Sequence, residues 1–214
     1  DMKQLAPIWN HTTLTELGVA AQADTLDRLD DIVRSRRSVA NGSTLGMARL
    51  LSRWREPDDI GVTLRFHYRC KPDIISYCNA LAYRGQLIAR TKDDDKGPEP
   101  TMAWVVVDAE PHASGGSWNN AREADEIVSW VVERWPEWRT SEAMRGKPLH
   151  QIVALITPYR SQANLLEERL ANRFDDARKN QGGTWPDATD VQKLVIGTVP
   201  SLQGAERPIL CFIL

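Results

Sequence analysis

Ile152-Val153-Ala154-Leu155-Ile156-Thr157-Pro158-Tyr159-Arg160-Ser161-Gln162-Ala163 is the stretch on which the fold turns. Its first five residues are apolar without alternation, which is how a strand reads when both of its faces are covered. Thr-Pro-Tyr then turns the chain. Ala163, Leu166, Leu170 and Phe174 recur at the spacing of one helix face, with Ser161 in position to cap the helix. The same pattern repeats to either side. Residues 62–68 and 104–108 (Trp-Val-Val-Val-Asp) are strand candidates upstream, and 194–199 and 209–214 are strand candidates downstream. Lys71-Pro72 opens a helix with proline in its first turn and with Ile74, Ile75, Cys78, Leu81 and Ala82 on one face. Asn120 caps another helix, Glu123 completes a variant of the capping box, and Ala124, Ile127, Val128, Val131 and Trp135 form its apolar stripe. Unalternating strands separated by amphipathic helices predict an α/β fold, with a mainly parallel sheet flanked by helices.

The first 60 residues differ. Residues 22–37 and 45–54 read as helices, with Leu26, Leu29, Ile32 and Val33 on the apolar face of the first, so a helical lead-in precedes the sheet. Residues 91–100, 110–119 and 175–190 read as loops. The chain has 214 residues, 27 Lys and Arg against 29 Asp and Glu, a formal charge of −2, and 42% hydrophobic content. That composition suits a globular protein with an ordinary core. It exerts no global pull on nucleic acid, which leaves a local basic lining as the way to bind one. The longest apolar runs, 104–107 and 209–214, fall far short of the ~20 residues of a membrane span, so no membrane partner and an intracellular, cytoplasmic setting are expected.

Cys70, Cys78 and Cys211 show no CxxC spacing, and His11, His67, His112 and His150 lie in separate elements. Neither a disulfide framework nor a metal centre is expected from them. No GxxxxGK[S/T], no GxGxxG after a strand and no GxSxG occurs. The chain opens on Asp1 and closes on Ile-Leu-Cys-Phe-Ile-Leu, which reads as a piece of a longer protein.

Three segments carry chemistry. In residues 64–75, Tyr68 and Arg69 follow a strand candidate. An arginine at the end of a parallel strand reaches a ligand in the crevice there, its planar guanidinium suits phosphate, and a neighbouring Tyr offers a face for a base. The structural alternative pairs Arg69 with a local carboxylate and packs Tyr68 in the core. Residues 156–162 place a hydroxyl, an aromatic ring and an amide at a helix start, where free N–H groups attract anions; the alternative is a capped helix with Pro158 in its turn. Residues 197–206 run from a strand into a small-residue loop that lets a backbone approach closely at Gly204, with Glu206 able to accept from a sugar hydroxyl. Alone, such a loop means little.

Taken in order, these segments resemble the second RecA-like domain of superfamily 1 helicases, in the Upf1-like and Dna2-like branch. The patterns there read LRxxYRxxPxIxxFxNxxFYxGxL, NxxEA, ITPYxxQ and TVxxxQGxE. Here they stand at residues 64–87, at Asn120-Ala121-Arg122-Glu123-Ala124, at 156–162 and at 198–206. Asp1-Met2-Lys3-Gln4-Leu5-Ala6-Pro7 is similar to the GDxxQLxP that ends the first RecA-like domain. The resemblance implies a RecA-like, P-loop-NTPase-type fold, with residues 1–60 as the end of a first-domain motif plus the helical lead-in. Residues 61–214 would be the second motor domain, truncated at its C-terminus.

It also implies ATP as the nucleotide, and Mg²⁺ with its ligands in an absent first domain. The implied partners are single-stranded DNA or RNA and that first domain of the same parent chain. Gln4 would sense the γ-phosphate, Tyr68 stack on adenine, and Arg69 act as an arginine finger. Gly204 and Glu206 would line the nucleotide cleft. Thr157, Pro158, Tyr159 and Thr198 would border the nucleic-acid track. For Asn120 and Glu123 the capping reading stands ahead of a ligand role, and Gln162 serves either the pattern or the helix start.

Some positions depart from the patterns. His67 stands where many relatives carry Gln, a change of small expected consequence; Cys70-Lys71 replaces Met-His; Pro200 replaces Asp or His; and Pro208 stands where Asp is often found. The P-loop, the Asp-Glu motif and the final arginine motif lie outside these residues. Pro200 favours the rival reading, a degenerate helicase-like scaffold for nucleic acid or protein without motor activity.

Overall fold

The computed structural model describes residues 12–23, 25–35, 38, 40, 42–56, 59–60, 63–92, 98–202 and 204–214. The chain divides into two units, Asp1–Thr91 and Lys92–Leu214.

The described residues of the first unit begin with helices, as the patterning predicts, but with different bounds. Helix α1 is Thr13–Gln22, so Gln22 ends a helix rather than starting one. The Thr12 hydroxyl accepts the Thr15 N–H and sets that start. A 3-10 turn (Leu26–Arg28) leads into α2, Leu29–Arg34, and α3, Thr44–Leu51, is capped by Ser43. A two-residue antiparallel ladder follows between β1, Arg55–Glu56, and β2, Asp59–Ile60.

The strand expected at 62–68 is confined among the described residues to β3, Phe66–His67. Its partner is a strand that periodicity missed, β4, Ile88–Ala89, which runs parallel to it with His67 opposite Ala89. Between them α4, Pro72–Cys78, starts on proline as expected, continues through one π-helical turn (Asn79–Tyr83), and stops where Arg84 (φ 52°) and Gly85 (φ 76°) turn left-handed. The Asn79 amide then pairs with both backbone groups of Leu87, at 2.9 Å each, and aims the chain into β4.

The second unit is the more deeply packed. Residues 112–119, expected to be loop, form a hairpin of β5, His112–Ser114, and β6, Ser117–Asn119. Its two-residue turn is Gly115-Gly116, both with positive φ, the geometry that lets a tight hairpin follow the strand twist. After α5, Ala121–Thr140, and the short α6, Leu149–Ile152, come β7, Val153–Ile156, α7, Arg160–Asn180, and α8, Ala188–Gln192. The last strands are β8, Val195–Gly197, and β9, Ile209–Phe212. They flank β7 in the order β8-β7-β9, all parallel, which makes the fold α/β.

Val153, Leu155, Ile209 and Ile213 share one core with Ala124, Val128, Val131 and Trp135 of α5 and with Leu166, Leu170 and Phe174 of α7. Both apolar stripes read from sequence face it. Trp138 is also fully buried, edge-on to Trp130 at 5.2 Å, with its indole N–H on Glu99 at 2.9 Å. The tryptophans of α5 therefore belong to the core. On the other side of the sheet Ala154 and Ile156 are buried, whereas Leu210 and Phe212 remain 51% and 54% exposed. Coverage of both faces, expected from the unalternating strands, is thus incomplete at β9.

Residues 104–108 are a clear departure. They form no strand among the described residues, and Val106 is 94% exposed. Apolar content alone does not name a ladder partner, and here none is engaged. The loop expected at 175–190 is shorter than its composition suggests: α7 runs on to Asn180, and Asp187 caps α8 through the Asp190 N–H at 2.7 Å. Among the described residues no helix is long and apolar enough to cross a membrane.

Leu166 is fully buried between α5 and the sheet. Leu166→Ala is expected to lower the unfolding free energy by about 2–5 kcal/mol, against within about 0.5 kcal/mol for Leu210→Ala at the half-exposed position. Urea unfolding followed by far-ultraviolet circular dichroism measures both.

Candidate functional site

In the first unit the sequence Phe66-His67-Tyr68-Arg69-Cys70-Lys71-Pro72 passes from strand to helix in four residues. Strand β3 ends at His67, and α4 begins at Pro72, so Tyr68 and Arg69 occupy the turn at the carboxyl end of a parallel strand. Tyr68 is 73% exposed and Arg69 is exposed as well. The alternative in which Tyr68 packs into a core is therefore overturned. His67 Nε2 accepts the Cys70 N–H at 2.9 Å, and the Thr91 hydroxyl donates to the Cys70 carbonyl at 2.6 Å. Burial, and then the Arg69 guanidinium, hold the His67 imidazole below its ordinary pKa.

In the second unit β7 delivers Thr157, Pro158 and Tyr159 to the start of α7. Thr157 is fully buried; its N–H extends the ladder to the Gly197 carbonyl at 2.9 Å, and its hydroxyl accepts the Tyr159 N–H at 3.3 Å. Pro158 and Tyr159 are exposed. Thr198 leaves β8 into the 3-10 turn Val199–Leu202, where its carbonyl accepts both the N–H and the hydroxyl of Ser201.

Within the chain, the tight packing in this loop falls on Gly197. A Cβ on Gly197 would meet the Ser201 hydroxyl at 2.7 Å, whereas Gly204 has open space and is needed for its φ of +82°. Glu206 is exposed. Thr157 through Tyr159 and Thr198 therefore leave adjacent paired strands, with Gly204 and Glu206 farther along the β8–β9 connection. Gln4 lies outside the described residues.

The start of α7 is organised by a side chain that sequence reasoning left between two roles. Gln162 is 2% exposed, and its amide pairs with both backbone groups of Asn120: Asn120 N–H to Oε1 at 2.7 Å, and Nε2 to the Asn120 carbonyl at 3.2 Å. Nε2 also donates to Glu123 Oε2 at 3.3 Å. Asn120 does cap α5, its Oδ1 accepting the Glu123 N–H at 3.1 Å. The reciprocal half of the capping box is made by Gln162, not by Glu123. Burial pushes the Glu123 carboxyl above its ordinary pKa, opposed by the hydrogen bond from the Leu214 backbone N–H.

Ser161 does not cap α7. It lies inside the helix, its N–H donating to the Ser117 hydroxyl and its Oγ accepting from Asn119 Nδ2 at 2.8 Å. A second tie holds the Glu206 loop. Arg207 Nε donates to the His150 carbonyl at 2.6 Å, and Asp190 accepts the Leu149 and His150 N–H groups and meets His150 Nδ1 at 2.5 Å. No local pattern flagged Arg207 or Asp190, since their partners are 57 and 40 residues away.

Cys211 is inert by environment: burial, and then the charge of Glu99, push its thiol up to about 12. Among the described residues no cluster of three or more His, Cys, Asp or Glu side chains is arranged to hold a metal.

Residues 46–214 match the profile of a family described as an AAA domain. No curated protein matches the sequence.

Replacing Gln162 by Leu preserves bulk and leaves the Asn120 N–H without its acceptor. Gln162→Leu is expected to cost about 1–3 kcal/mol, the penalty for an orphaned buried donor. Urea unfolding measures it, and a loss below about 0.5 kcal/mol would show that the amide pairing contributes little.

Proposed function

Because the chain belongs to the AAA-domain family whose profile covers residues 46–214, we propose that it is the second motor domain of an ATP-dependent superfamily 1 helicase or translocase, in the branch it resembles. The observation that supports this most is the Tyr68-Arg69 turn. It presents an aromatic face and a guanidinium outward from the carboxyl end of a parallel strand, where α/β sheets bind ligands. Tyr68 would stack on the adenine, and Arg69 would neutralise charge on the equatorial oxygens as the γ-phosphoryl group leaves. In the second unit, Glu206 is proposed to accept from the ribose and Gly204 to let the backbone run beside the nucleotide.

Thr157, Pro158, Tyr159 and Thr198 are proposed to border single-stranded DNA or RNA, the hydroxyls toward phosphates and the ring toward a base. Gln4 is proposed to sense the γ-phosphate. Mg²⁺ would accompany ATP and supply charge neutralisation at the phosphates, its ligands being proposed, from the resemblance, to lie in a first RecA-like domain. The competing reading is a scaffold without motor activity. Pro200 favours it, because that residue stands exposed in the turn after β8 and has no backbone N–H to donate.

In a protein containing both motor domains, Arg69→Ala is expected to lower kcat by about 10³–10⁵-fold while equilibrium binding of a fluorescent ATP analogue is largely kept. Turnover equal to wild type would remove the finger assignment. The 214-residue chain alone, which contains no GxxxxGK[S/T], is expected to hydrolyse ATP no faster than a buffer blank; robust turnover in a coupled phosphate-release assay would contradict the two-domain reading.

A further inference from the structure

The turn between β3 and α4 is closed by side chains rather than by a ladder. Both backbone groups of Cys70 are taken, the N–H by His67 Nε2 at 2.9 Å and the carbonyl by the Thr91 hydroxyl at 2.6 Å. His67 is itself fixed in the strand: its carbonyl accepts the Arg90 N–H at 2.7 Å, and it stands opposite Ala89. A ring nitrogen that accepts a backbone N–H must keep its lone pair, so the imidazole is neutral with its proton on Nδ1.

We propose that His67 is a positioning residue that holds the Tyr68-Arg69 turn in its outward-facing conformation and releases it on protonation. The inference rests on the nucleotide reading of Tyr68 and Arg69, and deepens it by placing their control in the residue before them. Protonation removes the acceptor for Cys70 and sets an imidazolium beside a guanidinium. Arg69 is the charged group that acts on the ring. Of the neighbouring elements, β4 brings Ala89 opposite it, followed by Arg90, whose guanidinium lies over the Phe66 ring at 4.5 Å; α4 brings Lys71 and Asp73 at its start.

The pH direction follows. Burial first and Arg69 second depress the folded imidazole below its ordinary 6.5. The unfolded chain therefore binds the proton more readily than the folded one. The stabilising neutral state is fully present above about pH 6.5 and is lost as the pH falls through the lower folded value.

The test has two arms. In the 214-residue chain, nuclear magnetic resonance is expected to show the Cys70 amide shift titrating together with the His67 ring below pH 6.5. In His67→Gln, whose amide oxygen also accepts an N–H, that titration should be absent. In a protein with both motor domains, His67→Ala is expected to lower kcat about 10–100-fold. His67→Gln should restore most of that loss at pH 7.5 and remove the decline of kcat below pH 6.5. A Cys70 amide that ignores His67, an acid decline that survives in His67→Gln, or wild-type kcat in His67→Ala would each overturn the inference. The Arg69→Ala variant separates the two levels: if it abolishes turnover while His67→Ala does not, only the positioning role falls. If it is neutral, the nucleotide reading falls, and the Cys70 titration still decides the clamp.

Discussion

All four side chains of β7 are excluded from water, at 1% exposure or less, and a strand buried that way must satisfy both of its backbone edges within the protein. That constraint organises the second unit. One edge takes Ala154, Leu155 and Ile156 against Val195, Ile196 and Gly197; the other takes Val153 through Ile156 against Ile209 through Phe212. The parallel sense of both pairings forces long connections. They are the amphipathic α7 with α8 on one side and the turn-rich 198–208 segment on the other, and they carry Thr157, Tyr159, Thr198, Gly204 and Glu206 out of the sheet.

Where the ladder ends, polar side chains take over its task. Asn79 pairs with both backbone groups of Leu87, Gln162 with both of Asn120, and His67 with Thr91 holds both of Cys70. Each arrangement gives a backbone segment the satisfied donors and acceptors of a strand without a strand's length. Two of them also stand beside a residue read as functional: Gln162 three positions after Tyr159, and His67 immediately before Tyr68-Arg69. Asp190, with His150 and Arg207, does the same for the loop ending at Glu206. Exposed residues proposed to meet a ligand are thereby held by buried or half-buried neighbours, which is how a surface group keeps its geometry.

Much of the fold was legible because it rests on local periodicity. The apolar stripes of α5 and α7, the proline start of α4 and the Asn120 cap all follow from residues within one or two helical turns of each other. The strand expected at 104–108 shows where that reasoning stops. Three valines in a row are compatible with a buried strand, but pairing needs a partner edge, and no local feature supplies one. The Gly115-Gly116 hairpin went unread for the opposite reason, because its strands are only three residues long and alternate too briefly for a period to register.

The candidate site divides along the same line. Residue types and their order, Tyr68-Arg69, Thr157-Pro158-Tyr159 and Gly204 with Glu206, stand in the sequence, and with them the chemistry they are suited to. The tertiary structure alone decided that Tyr68 is exposed rather than packed, that Gly197 packs against Ser201, and that Gln162 replaces Glu123 in closing the cap. Side-chain spacing along a helix or strand is a local property, and the sequence by itself determined it. The answer to a buried N–H comes from wherever the chain returns, 42 residues away for Asn120 and Gln162, and only the folded structure could name that partner.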